Sequence, residues 1–146
     1  MSYRSKIVNK LVDTFSEEIC GADPYNTDLN GRVQNKLKFW DEINDYPSVH
    51  INAGSETREY LPGGFKWGHL LVSIRIYVNS EYPEERLEEI FEDIERVIDG
   101  FGKLEYDTGK FLEDMQIMSI NTDEGLLSPI GVGEMTLKIM YDLESN

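Results

Sequence analysis

Cysteine is nearly absent. Cys20 is alone among 146 residues, which excludes an intrachain disulfide and a multi-cysteine metal site. Histidine is almost as scarce: His50 and His69 are the only two, and their spacing fits no metal-ligand motif, so both are expected at a surface or boundary. No apolar run approaches the roughly 18 residues that cross a membrane. The basic start, SYRSKIVNK, has no signal-peptide core behind it, so the expectation is a soluble protein made and kept in a cytoplasm-like compartment. Basic residues are also in short supply, 14 Lys and Arg against 28 Asp and Glu, for a formal charge of −14. The deficit is uneven: residues 1–40 hold six basic and five acidic side chains, residues 41–146 eight and 23. Without a basic stripe to displace phosphate counterions, the main body is not expected to bind nucleic acid directly. The acidity has two readings, simple solubility or identical acidic surfaces arrayed around a passage, such as one for DNA that must not stick.

Recognisable catalytic patterns are missing as well. Ser55, Ser73 and Ser119 lack a nucleophile-elbow context. Cys20 has no nearby histidine and reads as a partly buried thiol. Gly63-Gly64 with Lys66 lacks the Walker spacing and the Lys-Ser/Thr pair, and Gly131 and Gly133 precede no helix that would receive a pyrophosphate; turn geometry accounts for these glycines. The acidic run from Glu84 to Asp99 lacks the alternating oxygen ligands of a calcium loop. No catalytic, metal-binding or cofactor-binding residue is assigned.

What the chain does have is a strand followed by a helix. In residues 67–78, Leu70, Val72, Ile74, Ile76 and Val78 alternate with mixed residues, the period of a strand with one buried face. The period then changes. Pro83 suits a first helical position, and Leu87, Ile90, Phe91, Ile94, Val97 and Ile98 recur at spacings of three and four until Gly100. Glu84, Glu85, Glu88, Glu89, Glu92, Asp93, Glu95 and Asp99 are assigned to the outer face of that helix. Because burying unpaired carboxylates is costly, this face is expected to meet solvent or a lumen.

Around this pair, residues 2–20 read as a helix capped by Ser2 or Ser5, with Ile7, Leu11, Val12, Phe15 and Ile19 along one side. A turn-rich connection leads to a second helix over about 28–43, with Val33, Leu37, Trp40 and Ile43 on one face. Phe39, off that stripe, either touches a partner or widens the core-facing side. Residues 46–54 read as a short strand, and 55–64 as a second strand or an extended arm. Residues 101–110 read as a connector or small hairpin around Asp107-Thr108-Gly109, 111–122 as a strand, 123–133 as a loop with exposed apolar residues, and 134–142 as a final strand with Met135, Leu137, Ile139 and Tyr141 inward. The expected class is α+β, an antiparallel sheet of about four to five strands with helices packed mainly on one face. Residues 1–146 are taken as one domain, with a helical part over about 2–43 and the sheet and acidic helix over about 46–143.

Three stretches resemble the tail terminator, or tail completion, proteins of long-tailed bacteriophages: YPSVHINAGSE at 46–56, HLLVSIRIYVNSE at 69–81 and PEERLEEIFEDIERVI at 83–98. MQIMSINTDEGLLSPIGVGEMTLKIMYDL at 115–143 adds a strand, an acidic-glycine turn, a proline-containing loop and a terminal strand in the family's order. The resemblance covers about 100 residues, mainly 46–143. It implies a structural virion protein in the tail-neck region, assembled in the host cytoplasm. It also implies a homohexameric ring that ends tail-tube polymerisation and offers the surface for head joining. The implied partners are the tail tube protein, a neck or head-completion protein and, in a contractile tail, the sheath protein; neither catalysis nor a cofactor is implied. The rival readings are a neck or head-completion connector and a small cytoplasmic enzyme without a recognisable motif. Two loops are the interface candidates. Residues 55–67 offer Arg58, Tyr60, Leu61, Phe65, Lys66 and Trp67, and residues 123–133 offer Leu126, Leu127 and Ile130. The leucines can instead serve the core, and Trp67 can pack under its own sheet.

Overall fold

The structure, a computed structural model, describes residues 2–143. Two helices, α1 (Tyr3–Glu18) and α2 (Pro83–Gly100), accompany six strands: β1 (Val33–Gln34), β2 (Ser48–Leu61), β3 (Phe65–Asn79), β4 (Glu105–Asp107), β5 (Lys110–Thr122) and β6 (Ile130–Asp142). The strand order is β1-β2-β3-β6-β5-β4. The α+β class stands, but the sheet has six strands and is mixed, because β1 runs parallel to β2 while the other pairings are antiparallel.

Alternation puts Val49, Ile51, Leu70, Val72, Ile74, Ile76, Met135, Leu137, Ile139 and Tyr141 on one face, all with no exposed surface. Both helices cover that face. Ser2 caps α1, its hydroxyl accepting from the Ser5 N–H, and Ile7, Leu11 and Phe15 turn into the core. Pro83 opens α2 as expected, and Leu87, Ile90, Phe91, Ile94, Val97 and Ile98 are buried. Helix α2 lies so close to β6 that a Cβ on Gly133 would stand 2.6 Å from Phe91 Cζ, and one on Gly131 2.9 Å from Pro83 Cβ. These two glycines are therefore strand residues that admit a helix, not turn residues.

The second helix does not form. Residues 28–43 instead hold β1 and a single 3-10 turn, Trp40–Glu42. Gly31 takes a positive φ of 75°, breaking the pattern. The following carbonyls are drawn to the open face of the sheet, where His50 Nδ1 donates to Lys36 O at 2.7 Å and the Tyr77 hydroxyl donates to Lys38 O at 2.6 Å. Of the expected helical face only Val33 is buried; Ile43 is half-buried, and Leu37 and Trp40 are exposed, as is Phe39 beside them. His50 is not at the surface. Its ring is fully buried, and since Nδ1 carries the proton, Nε2 accepts from the Ser48 hydroxyl at 2.7 Å. Desolvation holds its pKa below the ordinary imidazole value.

Asp93 also departs from expectation. It is not on the outer face but fully buried, and it receives the Thr27 N–H at 3.0 Å, the Thr27 hydroxyl at 2.6 Å and the Asn26 N–H at 2.9 Å. A carboxylate so supplied offsets its own desolvation and ties the 20–31 connection to α2. Cys20 is exposed, not partly buried.

Candidate assembly surface

Residues 55–67 are not a loop. A bulge between Ala53 and Glu56 joins the two expected pieces into one strand, and β2 pairs with β3 up to the turn at residues 62–64, with Arg58 opposite Gly68, Glu59 opposite Trp67, Tyr60 opposite Lys66 and Leu61 opposite Phe65. The result is a two-stranded arm with two turn glycines at positive φ, Gly63 and Gly64. Its base is fixed. Glu56 accepts from the Tyr141 hydroxyl at 2.6 Å and from Arg58 Nε at 2.6 Å, and Arg4 donates to the Gly54 carbonyl at the bulge. Burial, reinforced by the Glu56 carboxylate, raises the Tyr141 phenol well above its ordinary pKa, so it stays a donor. The Glu56 contact in turn raises the Arg58 pKa.

The tip of this arm carries Tyr60, 74% exposed, with Leu61 and Phe65 also exposed. Lys66 Nζ lies 5.6 Å from the Tyr60 ring centroid, a cation–π contact that orients the ring. Trp67 is half-buried, opposite Glu59 on one side and Asp142 on the other.

The second candidate segment is shorter than expected, because β6 begins at Ile130. Asp123 organises it: its carboxylate accepts from the N–H groups of Gly125, Leu127 and Val132, at 3.4, 3.3 and 3.3 Å. Pro129 O accepts from Ser80 N–H at 2.9 Å. Leu126 is held out to solvent, 86% exposed. Leu127 and Ile130 are only half-buried.

Phe65 and Asn79 bound the 15-residue strand β3, and Ile130 pairs with Asn79. The arm and the 123–129 turn therefore stand at opposite ends of the sheet, roughly 45 Å apart at about 3.3 Å per residue. The sequence reading missed further exposed rings at each end. Phe111 lies beside the arm end, where Leu112 pairs with Tyr141. Tyr82, Phe39 and Trp40 lie toward the other end, with Leu37. Phe39 gave the one usable signal, since it fell off the helical stripe.

Among the described residues no group of three or more His, Cys, Asp or Glu is arranged to hold a metal ion. The carboxylates on α2 line its outer side as exposed residues Glu85, Glu88, Glu89, Glu92 and Glu95, and Glu84 takes the Thr122 hydroxyl at 3.2 Å. A protein built this way presents two unlike apolar ends on a rigid sheet, the format of an assembly component.

Comparison with known proteins identifies which kind. A family described as Bacteriophage Tail Tube Terminator Protein matches residues 1–146. The tail tube terminator protein p142 of Escherichia phage T5 is 36% identical over 152 residues, covering 97% of this chain and 94% of its own. The chain belongs to the bacteriophage tail tube terminator family and is a structural, tail-terminating protein of the virion. Its fold is also similar to that of a chain in the virion of a native gene transfer agent particle, with a TM-score of 0.60 at 7% identity, covering 97% of this chain and 99% of that one.

Proposed function

We propose that this protein closes as a homohexameric ring on the head-proximal end of the tail tube, stops tube polymerisation there and provides the surface to which the head is joined. It acts without catalysis or a cofactor. The observation that carries this reading is the pair of exposed aromatic ends on one sheet, since a cap must match the last tube ring on one side and the neck on the other. Tyr60, Leu61 and Phe65, flanked by Arg58, Lys66 and the half-buried Trp67, form one contact set; Leu126, with Leu127 and Ile130 behind it, belongs to the other. A neck protein, and a sheath protein where the tail contracts, would meet the complex from outside the tube. Residues 1–146 act as one domain, the ring is assembled in the host cytoplasm, and the exposed carboxylates of α2, Asp93 excepted, face solvent or the lumen, outside the tube contact.

Polymerising tail tube protein tests this directly. Added wild-type protein should shorten the tubes and leave a ring on one end. Tyr60→Ser with Phe65→Ser should fold normally yet cap poorly, because truncating an interface anchor costs about 2 kcal/mol or more, roughly thirtyfold in affinity. Tubes of unchanged length with wild-type protein would sink the reading. Capping unaffected by the double substitution would remove the arm from it.

A further inference from the structure

Two stretches of sheet backbone have no strand beside them among the described residues. β1 covers β2 only at Val49 and His50, leaving Ile51 to Leu61 open on the outer side. β4 covers only the start of β5, with Glu105 opposite Phe111 and Leu112 N–H donating to Leu104 O, leaving Glu113 to Thr122 open. Long open edges template pairing with another chain, and natural proteins usually blunt them with charge. Charge falls on one part of each open stretch, Glu56, Arg58 and Glu59 on β2 and Glu113 and Asp114 on β5, whereas Ile51 to Ser55 and Met115 to Thr122 contain no charged residue in a chain that is 29% charged. Met118 and Ile120 are exposed on β5.

The edges also match in height and direction. Ser119 stands opposite Thr136, Thr136 opposite Ser73, and Ser73 opposite Asn52; Asp114 leads likewise through Met140 and His69 to Thr57. Three antiparallel steps separate β2 from β5, so the two strands run in opposite directions. Rotating a second copy about an axis along the strands brings its β2 beside the first copy's β5, antiparallel and without a rise. Zero rise is the condition for a closed ring, as against a helical filament. Beside β2 lies a groove of about 540 Å³ against the start of α1, lined by Ser2, Arg4, Ser5, Asn9, Asn35 and Asn52, in which Ser2 is hydrogen-bonded to Ser5 and Asn35 to Asn9, and it leaves space alongside the strand for an arriving one. Arg4 already occupies the Gly54 carbonyl, and bulges interrupt both edges, between Ala53 and Glu56 and between Ile117 and Ser119. The regular segments on either side of those bulges remain for pairing.

We propose that subunits join by backbone pairing of β5 in one copy with the outer edge of β2 in the next, making one sheet that runs through the whole ring. This rests on the ring assigned under the proposed function and identifies its interface, with Asn52 of one copy near Ser119 of its neighbour.

A cysteine pair reads this geometry. In a Cys20→Ser background, Ser119→Cys and Asn52→Cys lie three strand spacings apart within one copy, about 14 Å, beyond the roughly 7 Å a disulfide spans. Oxidation of tube-capping rings should therefore give a covalent ladder ending at the ring's own copy number. Either single cysteine should leave the protein uncrosslinked. Independently of exact register, backbone amides of 113–122 should exchange more than about tenfold more slowly in the ring than in the monomer. Intact rings with neither ladder nor protection would overturn the interface and leave the ring standing. A covalent dimer from Ser119→Cys alone would overturn it in favour of a two-fold contact. Failure to form any closed ring on the tube would overturn the ring and the interface together.

Discussion

Replacing Asp93 by Asn changes one atom and should unfold much of the protein's margin of stability. The carboxylate is fully buried and takes four donors from two residues: the N–H groups of Asn26 and Thr27, the Thr27 hydroxyl and the Asn26 amide, at 2.9, 3.0, 2.6 and 3.1 Å. In Asp93→Asn one oxygen becomes an NH₂ group. Whichever way the amide turns, it meets either the Thr27 donors or the Asn26 donors head-on. Hydrogen bonds to a charged acceptor contribute about 1.5–3 kcal/mol each, and a buried donor left unmatched costs about 1–3 kcal/mol. Because the side chains can shift to relieve part of the clash, a net loss of about 3 kcal/mol is expected. For a chain of this size that lowers Tm by roughly 6–12 °C. Urea unfolding monitored by circular dichroism measures it, with the midpoint shifting at constant slope. Glu95→Gln, exposed on the same helix, should change stability by less than about 0.5 kcal/mol. An Asp93→Asn protein as stable as the Glu95→Gln control would refute the claim that this carboxylate anchors the 20–31 connection.

Gly133→Ala drives a methyl to 2.6 Å from Phe91 Cζ and should cost about 1–3 kcal/mol by overpacking. Adding Phe91→Leu should recover part of that loss in a double-mutant cycle, and purely additive effects would argue against the close α2–β6 approach. The depressed pKa of His50 makes the native state bind fewer protons than the unfolded chain between its folded value and about 6.5. This contribution is therefore complete above the unfolded pKa and is lost as pH falls toward the folded one. Thermal melts from pH 7.5 down to 5 should show a steeper loss for the wild type than for His50→Gln, and parallel curves would contradict it.

Legibility in the sequence followed how local the determining physics was. β3, α2 and β6 each carry their own period of apolar residues, so their place in the core followed from spacing alone. The 28–43 segment carries a helical period too, yet its conformation is decided from outside: β1 is held by β2, and the carbonyls of Lys36 and Lys38 are taken by His50 and Tyr77. Those partners lie 14 and 39 residues away in the chain, beyond what a local pattern reports. Asp93 was readable in part. It sits three residues after Ile90 and four before Val97, squarely in the buried stripe, but its charge and its acidic neighbours outweighed its position. Pro62-Gly63-Gly64 marked the turn that closes the arm, one of the two readings given to residues 55–64, whereas the pairing of 56–61 with 65–70 was not legible. The Ala53–Glu56 bulge that joins the arm to β2 has no one-residue signature. The exposure of Trp40 follows from the absence of a helix over 28–43, while Tyr82 is exposed at the start of α2, where no periodic signal reports it.

The role of this protein as the component that ends the tube is tested most directly by removing it from the phage and imaging the lysate by electron microscopy. Tube growth without a cap should give tails longer than normal, lying unjoined beside DNA-filled heads. Tails of normal length attached to heads would contradict the account.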